Sequence, residues 1–355
     1  MKINTKSFMI TQNSPTYFIA DIAANHDGEI ERALKLIELA AKAGANAAKF
    51  QHFKAETIVS KKGFDDLGAS MAHQAKWEKS VVDVYRDAEL PLSWTERLKA
   101  KCDEVGIDFF SAIYDENYLE VLKNDLPFFK IGSGDITWAQ MLEKTAIIGK
   151  PVFIATGAST LEDVKAAMSI LKKHKVEICL MQCNTNYTGN DNNHSFANLR
   201  VISEYRKLYP DVILGLSDHT STPTTTLGAV ALGATVIEKH FTDDRTRKGP
   251  DHAFSLDSNL WAEMVLKVRE LESTLGDGIK RVEENEEESQ VVQRRAARVN
   301  KNIAAGQQIV ESDIIFLRPC PTDAATPHDV WGQGPIVARK ELGIGDFIPS
   351  TWLKE

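Results

Sequence analysis

Short apolar runs recur between residues 17 and 237, and each run ends in a polar or glycine-rich stretch. The runs are rich in β-branched and aromatic side chains, a pattern that predicts buried strands. We predict such strands over residues 17–20, 47–53, 108–111, 127–131, 151–155, 176–181, 212–214 and 236–237.

Stretches with helical periodicity follow the runs. Residues 30–41 place apolar side chains on one face before Gly44, and further helices are predicted over 161–174, 195–209, 222–233 and 258–275. Ser93 with Glu96, and Ser159 with Glu162, have the spacing of capping boxes and predict helix starts. Eight strand-then-helix units predict an α/β fold, the (β/α)8 TIM barrel, whose active sites lie at the carboxyl ends of the strands.

The rest of the chain divides into segments that differ in periodicity and composition. Residues 54–90 form a long insertion with weak periodicity, which suits a lid or loop over a site. We predict a barrel domain over 1–280, an acidic linker over 281–290, and a small β-rich domain over 291–355 that packs on the barrel or on a partner subunit.

Composition narrows the class of protein. Hydrophobic residues make up 43% of the chain and charged residues 26%, as in ordinary globular proteins. The net charge of −8 argues against nucleic acid or an anionic membrane as the main partner. No apolar run is long enough to span a membrane, the first residues lack the apolar core of a signal peptide, and the four cysteines show no disulfide framework. We therefore expect a cytoplasmic location.

Two histidines close two adjacent predicted strands. His219 follows the run at 212–214, and His240 follows the run at 236–237, with one helix-sized stretch between them. Neighbouring parallel strands would bring both imidazoles to one rim of a barrel, where they would form half of a metal site. An acid–base pair or two structural histidines are the alternatives.

Lysines and small-residue loops also lie near strand ends. Lys49 and Lys130 follow apolar runs and would contact phosphate or carboxylate groups, or act as Schiff-base nucleophiles. Residues 132–134 and 156–159 are loops of small residues whose backbone N–H groups suit phosphate.

Carboxylates and a polar cluster complete the predicted rim. Asp21, Asp135 and Asp251 are placed to bind hydroxyl groups or move protons, and a polar cluster at Asn184, Thr185 and Tyr187 follows the sixth strand. These residues indicate a site for a phosphorylated anion and a polyhydroxy partner, with a divalent metal. A class I aldolase, a metal-dependent carbon–carbon condensing enzyme and a two-histidine metal hydrolase all fit.

Several motifs, in order, resemble those of the sialic acid synthase family over nearly the whole chain. They are Asp21-Ile-Ala-Ala-Asn25-His26, Lys49-Phe-Gln51, Lys130-Ile-Gly-Ser133-Gly-Asp135, Ala155-Thr156-Gly157, Gly215-Leu-Ser217-Asp218-His219-Thr220, Glu238-Lys-His240-Phe-Thr-Asp243, Gly249-Pro-Asp251-His252 and Arg318-Pro319.

This resemblance implies a TIM barrel followed by a small antifreeze-like (SAF) domain. It also implies a transferase that condenses phosphoenolpyruvate with an N-acylated amino hexose, giving a nine-carbon sialic-type acid and phosphate. Members are typically dimers in which the antifreeze-like domain covers the partner's barrel, so that Arg318 would act in trans. The same resemblance implies that His219 and His240 would be ligands of Mn²⁺ or Mg²⁺, and that Asp21 or Asp135 would orient water or shuttle a proton. It implies contacts to phosphoenolpyruvate from Lys49, Lys130, Ser133 and Ser217. It implies contacts to the acceptor from Gln51, Tyr187, Asp251 and Arg318.

Some positions depart from the pattern of the family. Asp21 and Asp135 replace the usual glutamates, Ala112 replaces a threonine, and the usual Thr-Asn order reads Asn184-Thr185. The acceptor implied is N-acetylmannosamine or a diacetamido-dideoxy hexose. The alternatives are a barrel that binds sugar without turning it over and a Schiff-base aldolase that uses Lys49 or Lys130.

Overall fold

The computed structural model describes residues 1–67, 77, 79–188 and 190–353. It divides into two compact units, Met1–Gly276 and Asp277–Glu355. No helix in the described part of the chain is long and apolar enough to cross a membrane.

The first unit is a closed barrel of eight parallel strands, in the order β10-β3-β4-β5-β6-β7-β8-β9. This confirms the predicted barrel. The strands are β3 (Tyr17–Asp21), β4 (Ala47–His52), β5 (Asp108–Ile113), β6 (Phe129–Ile131), β7 (Val152–Ala155), β8 (Ile178–Cys183), β9 (Ile213–Asp218) and β10 (Val236–His240). A hairpin of β1 (Ile3–Asn4) and β2 (Met9–Ile10) precedes them, and its Ile3 and Ile10 pack with the side chains that fill the barrel.

Helices connect the strands. They are α1 (Ile30–Lys42), α2 (Ala55–Ile58), α3 (Lys61–Leu67), α4 (Val81–Asp87), α5 (Thr95–Val105), α6 (Glu116–Leu122), α7 (Ala139–Ile147), α8 (Leu161–Lys173), α9 (Val201–Leu208), α10 (Thr224–Ala231) and α11 (Ser258–Leu275). The predicted insertion therefore carries short helices, and its residues 68–76 and 78 lie outside the described residues. The apolar faces of the longer helices, such as α1, α8 and α11, pack against the outside of the barrel.

Three helix starts differ from the prediction. Ser93 lies within a 3-10 turn, and α5 begins at Thr95 without a side-chain cap. The cap of α8 is Thr160, which makes a reciprocal capping box with Asp163 one residue later than predicted. The helix predicted from 195 begins only at Val201, after a 3-10 turn over Asp191–Phe196. At α8 neighbouring hydroxyl residues, Ser159 and Thr160, could both act as the cap, and the backbone geometry places Thr160 there.

The second unit is built from small antiparallel pairs. Strand β11 (Ala296–Val299) pairs with β13 (Ile314–Leu317), and β12 (Gln308–Ile309) pairs with β14 (Ile336–Val337). Helices α12 (Glu287–Gln293) and α13 (Pro327–Val330) accompany them, so the stretch interpreted as an acidic linker begins a short helix. Alanine and aliphatic side chains of the strand pairs and of the loops between them form the core of this unit.

Candidate active site

The alternation of side chains along the strands explains where the polar groups meet. Val236 belongs to the apolar filling of the barrel, so Glu238 and His240, two and four residues later, also point inward. On β3, Asp21 likewise follows the inward Ile19. A polar layer therefore lies on the apolar filling at the carboxyl end of the barrel, which is where active sites of this fold lie.

Glu238, which has no role among the residues predicted from the sequence, is the centre of this layer. Its Oε1 accepts hydrogen bonds from Lys130 Nζ at 2.5 Å and Ser217 Oγ at 3.2 Å, and lies 3.6 Å from Lys49 Nζ. Burial alone would raise the pKa of Glu238, but Lys130 and Lys49 hold that pKa at about 2. The alternation that places His240 inward applies equally to Glu238, and this signal in the sequence could have identified it.

Lys49 joins Glu238 to a second carboxylate. Its Nζ lies 2.7 Å from Asp21 Oδ2, and both side chains are buried. Burial acts to lower the pKa of Lys49, but Asp21 and Glu238 together raise it above its ordinary value. The amine is therefore held as an ammonium ion, which suits binding an anion better than forming a Schiff base.

His219 and His240 meet at the rim, as their positions on adjacent strands predicted. Their ring centroids are 5.3 Å apart, and His219 Nδ1 donates to the carbonyl of Asn184 at 2.8 Å. That bond leaves Nε2 of His219 with its lone pair, an arrangement found in histidines that bind metals. Burial lowers the pKa of His219 to about 3 and that of His240 to about 4, so both rings are neutral and able to coordinate.

These residues fit a metal held by two protein ligands. His240 Nδ1, Asp21 Oδ1 and Glu238 Oε2 are buried, and within the described chain none of them has a hydrogen-bond partner. Unpaired buried polar atoms are costly and indicate a place where a ligand binds. No cluster of three or more His, Cys, Asp or Glu side chains suited to a metal exists among the described residues. Water or substrate oxygens would therefore complete the coordination.

Two loops of small residues, one after β6 and one after β7, approach the polar layer of the barrel. The Gly157 N–H donates to Ser133 Oγ at 2.9 Å, and a Cβ at position 157 would lie 2.4 Å from Thr185 Oγ1. Only glycine permits that approach. Thr185 thus packs behind the loop and does not line the cavity at the carboxyl ends of the strands.

Two further carboxylates lie at the mouth of the barrel. Burial raises the pKa of Asp135 to about 6. Asp251 Oδ2 accepts a hydrogen bond from the Ala24 N–H at 3.2 Å and lies 3.9 Å from His240 Nδ1. Both carboxylates can therefore exchange a proton or accept a hydrogen bond from a hydroxyl group.

His252, next to Asp251, holds two loops of the rim together. Its ring is fully buried, with Nδ1 2.8 Å from Thr242 Oγ1 and Nε2 donating to Asp27 Oδ1 at 2.9 Å. Asp27 also pairs with Arg247 at 2.7 Å. His252 belongs to the Gly249–His252 motif, which gave it no predicted role, and its contacts make it a support for the loop of Asp251.

One cavity of about 390 Å³ unites most of the predicted site residues. Those that line it are Asp21, Lys49, Gln51, Lys130, Ser133, Asp135, Tyr187, Ser217, His219, His240 and Asp251. Arg318 lies in the second unit, where its side chain is exposed.

Comparisons with known proteins agree with this geometry. The model of the NeuB family matches residues 36–280. The chain belongs to the NeuB family. This confirms the sialic acid synthase family inferred from the motifs.

Members of the NeuB family named for their activity cover most of this chain. The N-acetylneuraminate-9-phosphate synthase of Mus musculus is 37% identical over 76% of this chain and 73% of its own. The N,N'-diacetyllegionaminic acid synthase of Campylobacter jejuni is 33% identical over 86% of this chain and 90% of its own. The N-acetylneuraminic acid synthetase structure from Leptospira borgpetersenii, in complex with citrate, has a TM-score of 0.71 and 31% identity, over 81% of this chain and 95% of its own.

Proposed function

We propose that this NeuB-family chain condenses phosphoenolpyruvate with an N-acylated amino hexose and water, giving a nine-carbon sialic-type 2-keto acid and phosphate. The names of its relatives support a synthase of sialic-type acids. The observation that carries the proposal is one cavity that joins a neutral histidine pair to the Lys49–Glu238–Lys130 cluster.

The charges of the cavity support a divalent metal. Among the described residues that line it, four carboxylates stand against two lysines, Lys49 and Lys130. A trianionic enol phosphate would therefore enter a region with no excess positive charge. We propose that His219 and His240 hold Mn²⁺ or Mg²⁺, which would supply a Lewis acid for the aldehyde oxygen of the acceptor.

The reaction balances with the groups available. Carbon 3 of phosphoenolpyruvate forms a bond to the aldehyde carbon, and water adds at carbon 2. The resulting tetrahedral intermediate then loses phosphate by cleavage of its C–O bond. Lys49, Lys130 and Ser133 would bind the phosphate and carboxylate groups, which offsets the charge of both.

Carboxylates at the mouth of the barrel would handle water and protons. Asp135, whose pKa is about 6, is suited to orient the water and to take its proton, as Asp21 is in the alternative assignment. Gln51, Tyr187 and Asp251 would contact the hydroxyl and amide groups of the acceptor.

We further propose that the second unit is an antifreeze-like domain and that the enzyme is a homodimer in which Arg318 of one copy contacts the acceptor in the barrel of the other. The exposed position of Arg318 is compatible with such a contact. The reducing cytoplasm would suit this enzyme, because its four cysteines are free.

Phosphate release from phosphoenolpyruvate is the experiment that tests the reaction. The purified protein would be assayed with Mn²⁺ or with EDTA, against N-acetylmannosamine and diacetamido hexoses. We expect release only when metal and acceptor are both present. Release of pyruvate from an acid sugar, with borohydride trapping at Lys49 or Lys130 and no effect of EDTA, would instead establish the aldolase. Sugar binding with no turnover of any kind would establish the non-catalytic barrel.

A further inference from the structure

Two buried hydroxyl groups form a relay behind the loop that follows β7. The Tyr205 hydroxyl, on α9, donates to Thr156 Oγ1 at 3.0 Å. Thr156 Oγ1 in turn donates to the carbonyl of Met181, on β8, at 3.1 Å, and the Thr156 N–H donates to the same carbonyl at 3.1 Å. A carbonyl can only accept, so this hydroxyl relay runs from Tyr205 through Thr156 to Met181.

Alternation along β7 places the hydroxyl relay on the outer face of the barrel. Phe153 belongs to the apolar filling and Ala155 lines the cavity, so Thr156 points the other way, towards α9. Thr156 and Tyr205 are each only 4% exposed, and neither of them lines the cavity. Any effect of the relay on a ligand must therefore pass through the loop.

The loop after Thr156 carries a contact into the cavity. The Gly157 N–H donates to Ser133 Oγ at 2.9 Å, and Ser133 lines the cavity. A hydroxyl that accepts this bond keeps its own hydrogen, which it can donate to an anion. Ala158 has a φ of 51°, in the left-handed region that residues with a Cβ rarely adopt, so the loop depends on its contacts to keep this shape.

Packing alone does not require these hydroxyl groups. Ile202, which lies one turn before Tyr205 on the same face of α9, is fully buried in the apolar core outside the barrel. Replacing both members of a buried hydrogen-bonded pair by apolar groups of the same shape is nearly neutral for stability, so apolar side chains would fill this space equally well. The hydroxyl relay adds direction, because it fixes Thr156 and hence the orientation of the Gly157 peptide.

We propose that Tyr205 is a positioning residue for the enol phosphate substrate. Through Thr156 it holds the Gly157 N–H against Ser133, so that the Ser133 hydroxyl is aimed at a phosphate or carboxylate group in the cavity. This inference rests on the proposed function, which makes Ser133 a contact of phosphoenolpyruvate. Loss of the relay should weaken binding of phosphoenolpyruvate by the worth of one hydrogen bond, roughly five- to tenfold.

The first test removes one hydroxyl group and keeps the ring. With Mn²⁺ and acceptor, Tyr205→Phe should raise KM for phosphoenolpyruvate roughly five- to tenfold, while kcat and KM for the acceptor change little. Tyr17→Phe is the matched control, because Tyr17 is a buried tyrosine whose hydroxyl bonds Asp108 at 2.7 Å, at the amino end of β3. An unchanged KM in Tyr205→Phe, or an equal rise in Tyr17→Phe, would overturn the inference.

A double variant separates positioning from stability. Thr156→Val alone leaves the Tyr205 hydroxyl buried without its partner, and adding Tyr205→Phe removes that hydroxyl, so the double variant should regain stability in urea unfolding. KM for phosphoenolpyruvate should nevertheless stay raised in the double variant. Thr156→Ser, which keeps the hydroxyl, should have the KM of the parent. A KM that recovers together with stability in the double variant would show a structural role alone and contradict the proposal.

Direct binding separates this inference from the condensation. Titration calorimetry of phosphoenolpyruvate, with Mn²⁺ and without acceptor, reports the affinity even when no turnover occurs. Weaker binding to Tyr205→Phe than to the parent, with no phosphate release from any acceptor, would contradict the condensation and support the relay. Equal affinities would overturn the relay whether or not the parent turns over, and no binding to the parent would overturn both.

Discussion

Lys130 Nζ and Glu238 Oε1 lie 2.5 Å apart inside the barrel, with Lys49 3.6 Å from the same oxygen. Removing the charge of Glu238 leaves two buried ammonium groups with less compensation. We expect Glu238→Gln to lower the free energy of unfolding by about 3–5 kcal/mol, the usual cost of breaking a buried pair, and to lower kcat at least about 100-fold. Urea unfolding and phosphate release would measure the two effects.

A second buried pair provides the control for this variant. Lys239 Nζ lies 2.6 Å from Asp218 Oδ2, and both belong to barrel strands that also carry site residues. Lys239 faces the opposite side of β10 from Glu238, since the two are neighbours in a strand. Asp218→Asn should therefore destabilise the protein to a similar extent while kcat stays within about tenfold of the parent. Loss of stability without loss of activity in Glu238→Gln would contradict its proposed place in the site.

The ionised carboxylate of Asp135 lowers the free energy of unfolding, because it is partly buried. Burial raises its pKa from 3.8 to about 6 in the folded protein, so the folded state binds the proton more tightly than the unfolded state. Its favourable contribution is complete below about pH 4 and is lost as the pH rises through 6. We expect Asp135→Asn to raise the free energy of unfolding by about 1–2 kcal/mol at pH 8, after allowance for partial exposure, and to have no such effect at pH 4.

The same variant should lose activity, because an amide cannot take a proton from water. Urea unfolding at the two pH values, beside a phosphate-release assay at pH 8, would show whether stability and activity change in opposite directions. A stability gain that is equal at both pH values would show that the pKa of Asp135 is not its cause.

Metal dependence should reside in the histidine pair. We expect His240→Asn to weaken Mn²⁺ binding at least about 100-fold, because one of only two protein ligands is lost. Calorimetry with Mn²⁺ and elemental analysis of the purified protein would measure this. His174→Gln, at the end of α8, is the control and should bind Mn²⁺ as the parent does. Equal Mn²⁺ affinity in both variants would place the metal elsewhere.

The pair formed by Asp27 and His252 should act on the acceptor through Asp251. The Ala24 N–H that bonds Asp251 belongs to the same loop as Asp27, which anchors His252 at 2.9 Å. Asp27→Asn should loosen this loop, raising KM for the acceptor about tenfold while changing kcat and KM for phosphoenolpyruvate little. A fall in kcat with both KM values unchanged would rule out this positioning role.

Arg318 gives a test of action in trans. In mixed dimers of Arg318→Ala and His240→Asn, one barrel would combine an intact histidine pair with an intact Arg318 from the other copy. If Arg318 acts in trans, mixing two inactive variants restores part of the activity, ideally about half in each heterodimer. If both residues act within one copy, the mixture stays inactive.

The sequence by itself determined the barrel and the order of its parts. Strands that are buried on both faces must be apolar, and parallel neighbours must be joined by helices, so periodicity alone located β3 to β10 and α11. In a barrel of parallel strands the carboxyl ends lie at one rim, so most of the predicted residues at those ends line one cavity.

Only the tertiary structure decided which groups touch. Alternation along β10 indicates that Glu238 points inward, but its pairing with Lys49 and Lys130 could not be predicted, because these lysines lie far away in sequence and meet it only when the barrel closes. Thr185 lies behind the loop of Gly157 because Gly157 has no Cβ, which lets the two segments approach closely. Local alternation sets the face of a strand on which a side chain lies, whereas the pairing of charges and the support given by His252 depend on distances between separate elements that no local pattern encodes.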